Sequence, residues 1–276
     1  MDDGTIVTRP EVRDLTLDQF RAFAAAVSEL HAAGGTGNHY DQFVAVHYDN
    51  VPQAHGVPAF FPWHREFLRR FEVALQSIDP TVVLPYWDWT IDAADPAASV
   101  ILTSDYFGGN GREEDQAVVD GPFANWTAAI PQTHPLRRQF DDGSRITPFY
   151  SAQNIEAILR KFTNSYDGFL RQIESGPQST VHANIGGNNG DMTFMYSVND
   201  PLFWVHHAFI DLLWFEWQQR YPNLAHAYDG NTLDGDPVSP SDVMVPFGIP
   251  VSQVMDTTAP GYRYLYKRWS GALPTS

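Results

Sequence analysis

The chain contains no cysteine among its 276 residues. Disulfides, thiolate nucleophiles, zinc–cysteine sites and iron–sulfur clusters are therefore excluded, and any metal site must use other ligands. Basic residues are also few, because 17 Lys and Arg stand against 33 Asp and Glu and the formal charge is −16. A field of that sign repels phosphate backbones and anionic lipid headgroups, so we expect no nucleic acid and no membrane among the partners.

Long hydrophobic runs are missing as well. No stretch approaches the roughly 18 uninterrupted apolar residues that a membrane-spanning helix needs. The acidic start Met1–Gly4 has neither the basic nor the apolar region of a signal peptide. No fixed-period repeat or low-complexity block divides the chain. We therefore expect one domain over 1–276, with no signal peptide and no membrane span.

Aromatic residues are abundant at 14%, and there are ten histidines. Apolar residues at helical spacing predict four main helices and one shorter helix, and their apolar stripes predict an all-α bundle core. A capping box at Thr16 and Gln19 opens the first helix, and Gly34 and Gly35 end it. The predicted helices cover Leu17–Leu30, Tyr40–Tyr48, a third segment after Pro62, Ala152–Glu174 with Gly176-Pro177 as its end, and Pro201–Tyr221.

Two long segments lack helical periodicity. Residues 91–149 and the chain after Leu224 are rich in Gly, Pro and Asp, which predicts loops and short strands. We expect these segments to wrap the helical bundle, and loops of such length usually carry function or shape.

Histidines fall on the apolar stripes of several predicted helices, namely His47, His64 and His207. A single histidine in such a place is more often a hydrogen-bonded core residue than a ligand. Burying several unpaired imidazoles costs free energy, however, and one metal ion satisfies three of them at once. Without cysteine or a carboxylate cluster beside them, imidazoles favour copper or zinc over magnesium or calcium.

Two motifs resemble those of a known family. In the segment His55–Arg65, eight residues separate His55 from a second histidine, His64, which stands within the sequence Pro-Trp-His-Arg. In the segment Asn199–Asp211, the sequence Asn-Asp-Pro-Leu-Phe-Trp is followed after one residue by a His-His pair. Both are similar to the copper-binding motifs of type 3 dicopper proteins: tyrosinases, catechol oxidases, aminophenol oxidases and hemocyanins. Pro85–Trp89 and Tyr262–Tyr264 resemble further segments of that family. The resemblance implies a four-helix bundle core that holds a dicopper site and is wrapped by long loops.

The cofactors that the resemblance implies are two copper ions, with dioxygen as co-substrate. The implied ligands are His47, His55 and His64 for the first ion, and His182 and His207 for the second. Neighbours on a helix point about 100° apart, so His206 and His207 are not expected to face one metal ion, and the resemblance selects His207.

The family pattern breaks at position 178, where the resemblance requires a third ligand for the second copper. Gln178 offers only a neutral amide oxygen, which is a weaker donor to copper than an imidazole nitrogen. Three interpretations stay open: a natural variant with altered chemistry, an engineered or incidental change, or a shifted alignment in which another histidine serves. The remaining histidines, which the sequence places in polar or loop surroundings, are His31, His39, His134 and His226.

The resemblance also implies supporting residues around the metal ions. Phe203 is expected to pack against the second-copper imidazoles, and Asp211 is expected to accept a hydrogen bond or to pair with Arg65. Glu174 stands at the spacing where plant members place a glutamate that holds a water, so it would accept a proton from an incoming phenol. The alternative for Glu174 is an ordinary acidic residue near a helix end.

Three further positions bear on the substrate. Ser179 stands where many tyrosinases carry an asparagine that helps to orient that water, so the resemblance implies monophenol hydroxylation less strongly than it implies diphenol oxidation, and the choice among monophenols, diphenols and aminophenols stays open. Phe194 and Ala183 are expected to line the substrate pocket. Plain packing is the alternative for Phe194.

The function implied is copper-dependent oxidation of small phenols, o-diphenols or aminophenols by dioxygen to ortho-quinones. The alternatives are a copper-binding pseudo-enzyme or a dioxygen-binding protein with an impaired second copper site. Without cysteine the thioether bridge of many fungal and plant relatives cannot form, which resembles the bacterial branch. The end soon after Tyr264 implies no carboxy-terminal shielding domain. Some bacterial relatives use a copper-delivering helper protein, so the expected location is cytoplasmic, or secreted with such a helper.

Overall fold

The structure, a computed structural model, describes residues 5–32, 38–267, 269 and 271. Its α-helices are α1 Leu17–Ala32, α2 His39–Asp49, α3 Val51–Ala54, α4 Phe60–Ile78, α5 Ala152–Lys161, α6 Tyr166–Ile173, α7 Ser179–Gly186 and α8 Leu202–Arg220. Its strands are β1 Val7–Arg9, β2 Thr127–Ala128, β3 His134–Pro135, β4 Val243–Met244, β5 Ile249–Pro250 and β6 Tyr264–Tyr266. Short 3₁₀ helices cover Val12–Asp14, Pro96–Ala98, Val100–Leu102, Asp191–Thr193, Ser197–Asn199, Pro222–Leu224 and Val251–Val254.

The strands form three two-stranded pairs that contribute little to the core. β1 and β6 are parallel, with Val7 opposite Tyr264, and they join the two ends of the described chain. β2 pairs with β3, and β4 pairs with β5, both antiparallel. The prediction of an all-α bundle wrapped by loops is therefore confirmed, and strands β2 to β6 lie in the segments predicted to be irregular.

The core is built around α8, which is buried over almost its whole length. α4 packs against α8 on one side and against α1 on the other. Phe71 of α4 stacks on Trp204 of α8, with ring centroids 3.6 Å apart and planes 3° apart. No helix in the described part of the chain is both long and apolar enough to cross a bilayer.

The predicted capping box is present at the start of α1. The Thr16 backbone N–H donates to Gln19 Oε1 at 2.9 Å, and the Gln19 N–H donates to Thr16 Oγ1 at 3.2 Å. Two donors at the helix start are thus satisfied by side chains. Gly34 and Gly35, predicted to end this helix, lie outside the described residues.

The prediction of one continuous helix over Ala152–Glu174 is wrong. α5 ends at Lys161, and Ser165 starts α6 by accepting the Gly168 N–H at 3.0 Å. A serine N-cap competes with helix continuation because its side chain replaces an intrahelical partner.

Gly176 and Pro177 do not end the helix, contrary to the prediction. Residues Glu174–Gln178 form a π-helical turn that carries α6 into α7. Pro177 lacks an N–H and its ring crowds the carbonyl one turn earlier, so a wider turn accommodates it where a regular helical turn would not. This turn positions residue 178 and the start of α7.

A buried ionic network lies behind the core helices. Arg65 Nε donates to Asp211 Oδ1 at 2.6 Å, and the hydroxyls of Tyr264 and Tyr266 donate to Asp211 Oδ2 at 2.6 and 2.7 Å. The Arg65 guanidinium also lies over the Trp214 ring, 3.7 Å from its centroid. Because buried charges are costly without partners, these contacts tie α4, α8 and β6 into one arrangement.

Candidate metal centre

Three imidazoles meet at one side of the bundle core. His47 lies in the last turn of α2, His55 follows α3, and His64 lies in the second turn of α4. One ring nitrogen of each lies within 4.8 Å of the others. His47 Nε2 and His55 Nε2 are 3.0 Å apart. The structure thus brings together the three residues that the sequence predicts as ligands of one ion, and we call them the first cluster.

The outward nitrogens of two of these rings are held by backbone carbonyls. His47 Nδ1 donates to the Met195 carbonyl at 2.8 Å, and His64 Nδ1 donates to the Phe60 carbonyl at 2.8 Å. A carbonyl oxygen only accepts hydrogen bonds, so in both rings Nδ1 carries the proton and Nε2 presents a lone pair.

Glu174 holds the third ring of the first cluster. Its Oε1 accepts from His55 Nδ1 at 3.2 Å and from the Gly56 backbone N–H at 2.9 Å. With Nδ1 protonated, His55 Nε2 also presents a lone pair toward the cluster. The structure therefore places Glu174 directly behind an imidazole, in addition to its place at the cavity described below.

The first cluster fits a metal cation. Two lone pairs at 3.0 Å, on His47 Nε2 and His55 Nε2, repel each other unless a cation lies between or beside them. His64 Nε2 is buried and has no hydrogen-bond partner in the described part of the chain. One ion satisfies all three nitrogens, and three neutral imidazoles are a donor set that suits copper or zinc.

A second cluster is formed by His182 of α7 and by His206 and His207 of α8. One ring nitrogen of each lies within 4.8 Å of the others. His182 Nδ1 donates to the Met192 carbonyl at 2.7 Å, which leaves a lone pair on Nε2, and this Nε2 is 3.1 Å from His207 Nε2. The fixed tautomer recurs here in His182, and the convergence of ring nitrogens recurs in all three residues.

His206 and His207 are neighbours on α8, and the His182 ring lies near both of them. His182 comes from α7, and its ring centroid lies 4.9 Å from that of His206 and 5.3 Å from that of His207. A ring from another helix can thus approach two adjacent side chains at once.

The two clusters adjoin each other. The rings of His64 and His207 are stacked, with centroids 4.5 Å apart and planes 15° apart. Phe203 packs on His207 at 4.1 Å and meets the His47 ring edge-on at 5.2 Å. Phe203 therefore contacts both clusters, and its place is one turn before His207 on the same helix.

Burial keeps the imidazoles of His47, His64, His182 and His207 neutral. It lowers the pKa of His47 to about 3 and that of His182 to about 4, while hydrogen bonds to the Met195 and Met192 carbonyls oppose the shift. Burial, together with neighbouring imidazoles, also lowers the pKa of His64 and His207 well below the usual value. Neutral rings are the form that binds metal ions, so the clusters are ready to bind at neutral pH.

Gln178 lies in the π-helical turn and is 5% exposed. Ser179 Oγ donates to the Glu174 carbonyl at 2.7 Å, and the same Oγ lies 3.2 Å from Gln178 Oε1. Burial lowers the pKa of the neighbouring His206 well below the usual value, and the Gln178 backbone opposes that shift. The residue that breaks the family pattern thus lies beside the second cluster.

A cavity of about 300 Å³ opens onto both clusters. The predicted site residues on its wall are His47, His55, Glu174, Gln178, Ser179, His182, Ala183 and Phe194. Phe194 is 38% exposed and stacks on Tyr196, with ring centroids 5.0 Å apart. The cavity mouth is therefore aromatic, and its floor is made of imidazoles.

The histidines outside the motifs are not all solvated surface residues. His134 is 9% exposed in its side chain, and its Nε2 donates to Asp191 Oδ1 at 2.8 Å. His31 stacks on Trp126 with ring centroids 3.7 Å apart. His39 and His226 are exposed.

Sequence reasoning missed the groups that hold the rings from outside. The carbonyls of Met192 and Met195 carry no side-chain signal, because any residue offers the same oxygen. Asp191 was not singled out, although the structure buries it beside these carbonyls. The one sequence signal was the length of chain between α7 and α8, which is too long for a simple turn.

The chain was compared with known proteins. A sequence model of the common central domain of tyrosinase matches residues 37–220. A tyrosinase from Streptomyces glaucescens is 36% identical over 254 residues, which cover 83% of this chain and 89% of the relative. The chain belongs to the tyrosinase family.

Solved structures agree with this family. A polyphenol oxidase variant from Thermothelomyces thermophila has a TM-score of 0.78 at 25% identity, and the match covers 95% of this chain and 89% of the other. A functional unit of octopus hemocyanin has a TM-score of 0.70 at 22% identity over 95% of this chain and 68% of the other, which is a likeness of fold alone. This tyrosinase-family chain is a type 3 copper oxidoreductase, and the resemblance seen in its motifs is confirmed.

Proposed function

We propose that this enzyme oxidises small o-diphenols to ortho-quinones with dioxygen, using two copper ions held by the two histidine clusters. The observation that carries the proposal is the convergence of imidazole nitrogens from separate helices onto two adjoining points beside one cavity. His47, His55 and His64 hold the first ion. His182 and His207 supply two donors to the second.

The third donor at the second ion is His206. This ring is fully buried, and its nitrogen shares the 4.8 Å cluster with those of His182 and His207. An imidazole nitrogen is a better copper donor than the neutral amide oxygen that Gln178 offers. Gln178 then serves as part of the cavity wall.

Copper, when bound, supplies the capacity to bind and reduce dioxygen. The chain's own residues supply the rest. Burial keeps His47, His64, His182 and His207 neutral. Hydrogen bonds at Nδ1 fix the rings of His47, His55, His64 and His182. Phe203 packs against both clusters and so limits the entry of water between them.

The substrate ring enters past Phe194 into the cavity of about 300 Å³, which accommodates a single aromatic ring with a short side chain. Glu174 on the cavity wall accepts a proton from the phenolic hydroxyl. Each o-diphenol loses two electrons and two protons, and two diphenols reduce one dioxygen to two waters. Ser179 already contacts the Glu174 carbonyl and Gln178, which supports diphenol oxidation rather than monophenol hydroxylation.

The function is tested with copper-loaded protein and three substrates: tyrosine, a catechol and an aminophenol. Dioxygen uptake and quinone absorbance are measured together. The expected result is fastest turnover of the catechol, with one dioxygen consumed for each two quinones. Reversible dioxygen binding without quinone would instead indicate a carrier, and protein with two copper ions that consumes no dioxygen would refute the proposal.

The third donor is tested by counting copper per chain in three variants. His206→Gln should retain one tightly bound copper, whereas Gln178→Leu should retain two. Adding Gln178→His to His206→Gln should restore the second copper. If Gln178→Leu loses the second copper and His206→Gln keeps it, the glutamine is the ligand and the assignment of His206 is wrong.

A further inference from the structure

One loop holds a ring from each histidine cluster. The loop covers residues 191–196, between α7 and α8. Within it the Met192 carbonyl accepts from His182 Nδ1 at 2.7 Å, and the Met195 carbonyl accepts from His47 Nδ1 at 2.8 Å. These two carbonyls fix the tautomer and the rotation of a ring in the second cluster and of a ring in the first. A shift of this one loop therefore moves donors at both metal ions.

The loop is anchored at Asp191, which is 1% exposed. Its Oδ1 accepts from His134 Nε2 at 2.8 Å and from Asn199 Nδ2 at 2.7 Å. Its Oδ2 accepts from the Arg137 backbone N–H at 2.8 Å, and its own N–H donates to the Arg137 carbonyl at 2.9 Å. One buried carboxylate thus joins the loop to β3, to the residues after β3, and to the segment before α8.

The far end of the loop has no comparable anchor among its own side chains. Phe194 and Met195 are 38% and 46% exposed, so burial of these side chains does little to hold their backbone in place. Thr193 Oγ1 donates to the Gly187 carbonyl at 2.8 Å, which is a single neutral hydrogen bond. The Met192 side chain is 0% exposed and packs in the core. The charged contacts of Asp191, together with this buried side chain, therefore constrain where the two carbonyls point.

We propose that Asp191 is a positioning residue for both copper sites, and that it acts through the Met192 and Met195 carbonyls. Neither ring is touched by Asp191 itself. The assignment of copper rests on the proposed function, but the control of ring tautomers by this loop does not.

The test compares Asp191→Asn with a matched control, Asp88→Asn. Asp88 is a buried carboxylate, 2% exposed, that accepts from Thr90 and Trp269 and belongs to neither cluster. Copper affinity at both sites is measured by competition with a chelator. Asp191→Asn should weaken both sites about tenfold, the low end of the range for residues that support a ligand from behind. Asp88→Asn should lose stability with both affinities unchanged.

A second measurement needs no metal. Nitrogen NMR of the imidazoles in metal-free protein reports which ring nitrogen carries the proton. In the unaltered chain His47 and His182 should be protonated at Nδ1, and in Asp191→Asn both should become mixtures. His134→Gln removes one of the four contacts of Asp191, so it should change the tautomer populations of both rings in the same direction but by a smaller amount. If Asp191→Asn does not fold, this variant provides the test.

The outcomes separate the two proposals. If the unaltered chain binds no copper but Asp191→Asn changes both tautomers, the proposed function fails and the role of Asp191 stands. If copper binds at two sites and Asp191→Asn leaves both affinities and both tautomers unchanged, the role of Asp191 is refuted. An effect on one ring alone would also refute it, because the shared loop requires both rings to respond.

Discussion

At the scale of single residues, Asp211 shows how much one buried carboxylate can hold. It accepts from Arg65 Nε at 2.6 Å and from two tyrosine hydroxyls, and it lies 3.5 Å from Arg9. Asp211→Asn leaves the Arg65 guanidinium without its buried counter-charge, so we expect a loss of about 3–5 kcal/mol in the free energy of unfolding. Urea unfolding at pH 7 measures this.

The control for that prediction is Asp142→Asn. Asp142 pairs with Arg145 at 2.7 Å, but their side chains are 51% and 75% exposed. Exposed pairs contribute little, so this variant should lose less than about 1 kcal/mol. Equal losses in the two variants would contradict the importance given to the buried network.

At the scale of elements, the end of α7 depends on Gly186. A Cβ at this position would lie 2.4 Å from the Thr193 backbone nitrogen and 2.3 Å from Thr193 Oγ1. Gly186→Ala must therefore push the 191–196 loop away from α7, and we expect a loss of about 1–3 kcal/mol in stability with weaker copper binding at both sites. Thermal unfolding and chelator competition measure the two effects.

Gly143→Ala, at a glycine outside the 191–196 loop, is the matched control for Gly186→Ala. Gly143 has a φ of +69° but no atom within 4 Å of an added Cβ, so the variant suffers backbone strain of about 1–2 kcal/mol without displacing a neighbour. It should lose stability and keep its copper affinity. Unchanged copper binding in Gly186→Ala would mean that the loop does not set the ring positions.

The buried histidines that these helices carry make the metal-free protein sensitive to acid. The imidazoles of His47 and His182 have pKa values lowered to about 3 and about 4, mainly by burial, and burial also lowers the pKa values of His64, His206 and His207 well below the ordinary value. From about pH 6.5 down to these folded values the unfolded chain binds more protons, so acid favours unfolding. Each such histidine lowers the free energy of unfolding by about 1.4 kcal/mol for every unit that the pH falls, once the pH is well below 6.5.

His134 acts in the opposite direction. Its hydrogen bond with Asp191 raises its pKa above the usual value, so its contribution is present in acid and is lost as pH rises through that folded pKa. The five histidines whose pKa values are lowered outweigh His134, whose pKa is raised. Urea unfolding of the metal-free protein should show a steep loss of stability from pH 6 to pH 5, and a flat profile over that interval would contradict the buried, neutral clusters.

At the scale of the whole molecule, the charge of −16 bears on which phenols enter. Among the described residues that line the cavity there is no Lys or Arg, whereas Glu174 and the net charge repel anions. We expect kcat/KM for a cationic catechol such as dopamine to exceed that for the carboxylate 3,4-dihydroxyphenylacetate by about tenfold at low salt. The ratio should shrink as ionic strength rises. Neutral 4-methylcatechol, whose rate should not depend on salt, is the control, and equal rates at low salt would contradict the prediction.

Sequence alone was sufficient for the all-α class, the ends of α2 and α8 to within a residue or two, and the family, because helical periodicity and the His-x₈-His and His-His motifs are local properties. It was insufficient for the break between α5 and α6, for the π-helical turn at Pro177, and for the grouping of His206 with His182. It also did not reveal the anchor at Asp191 or the carbonyls of residues 192 and 195. Those features are contacts between atoms from segments that are distant in the sequence, such as a backbone oxygen and an imidazole ring. Only the tertiary structure determines which of these atoms lie next to each other.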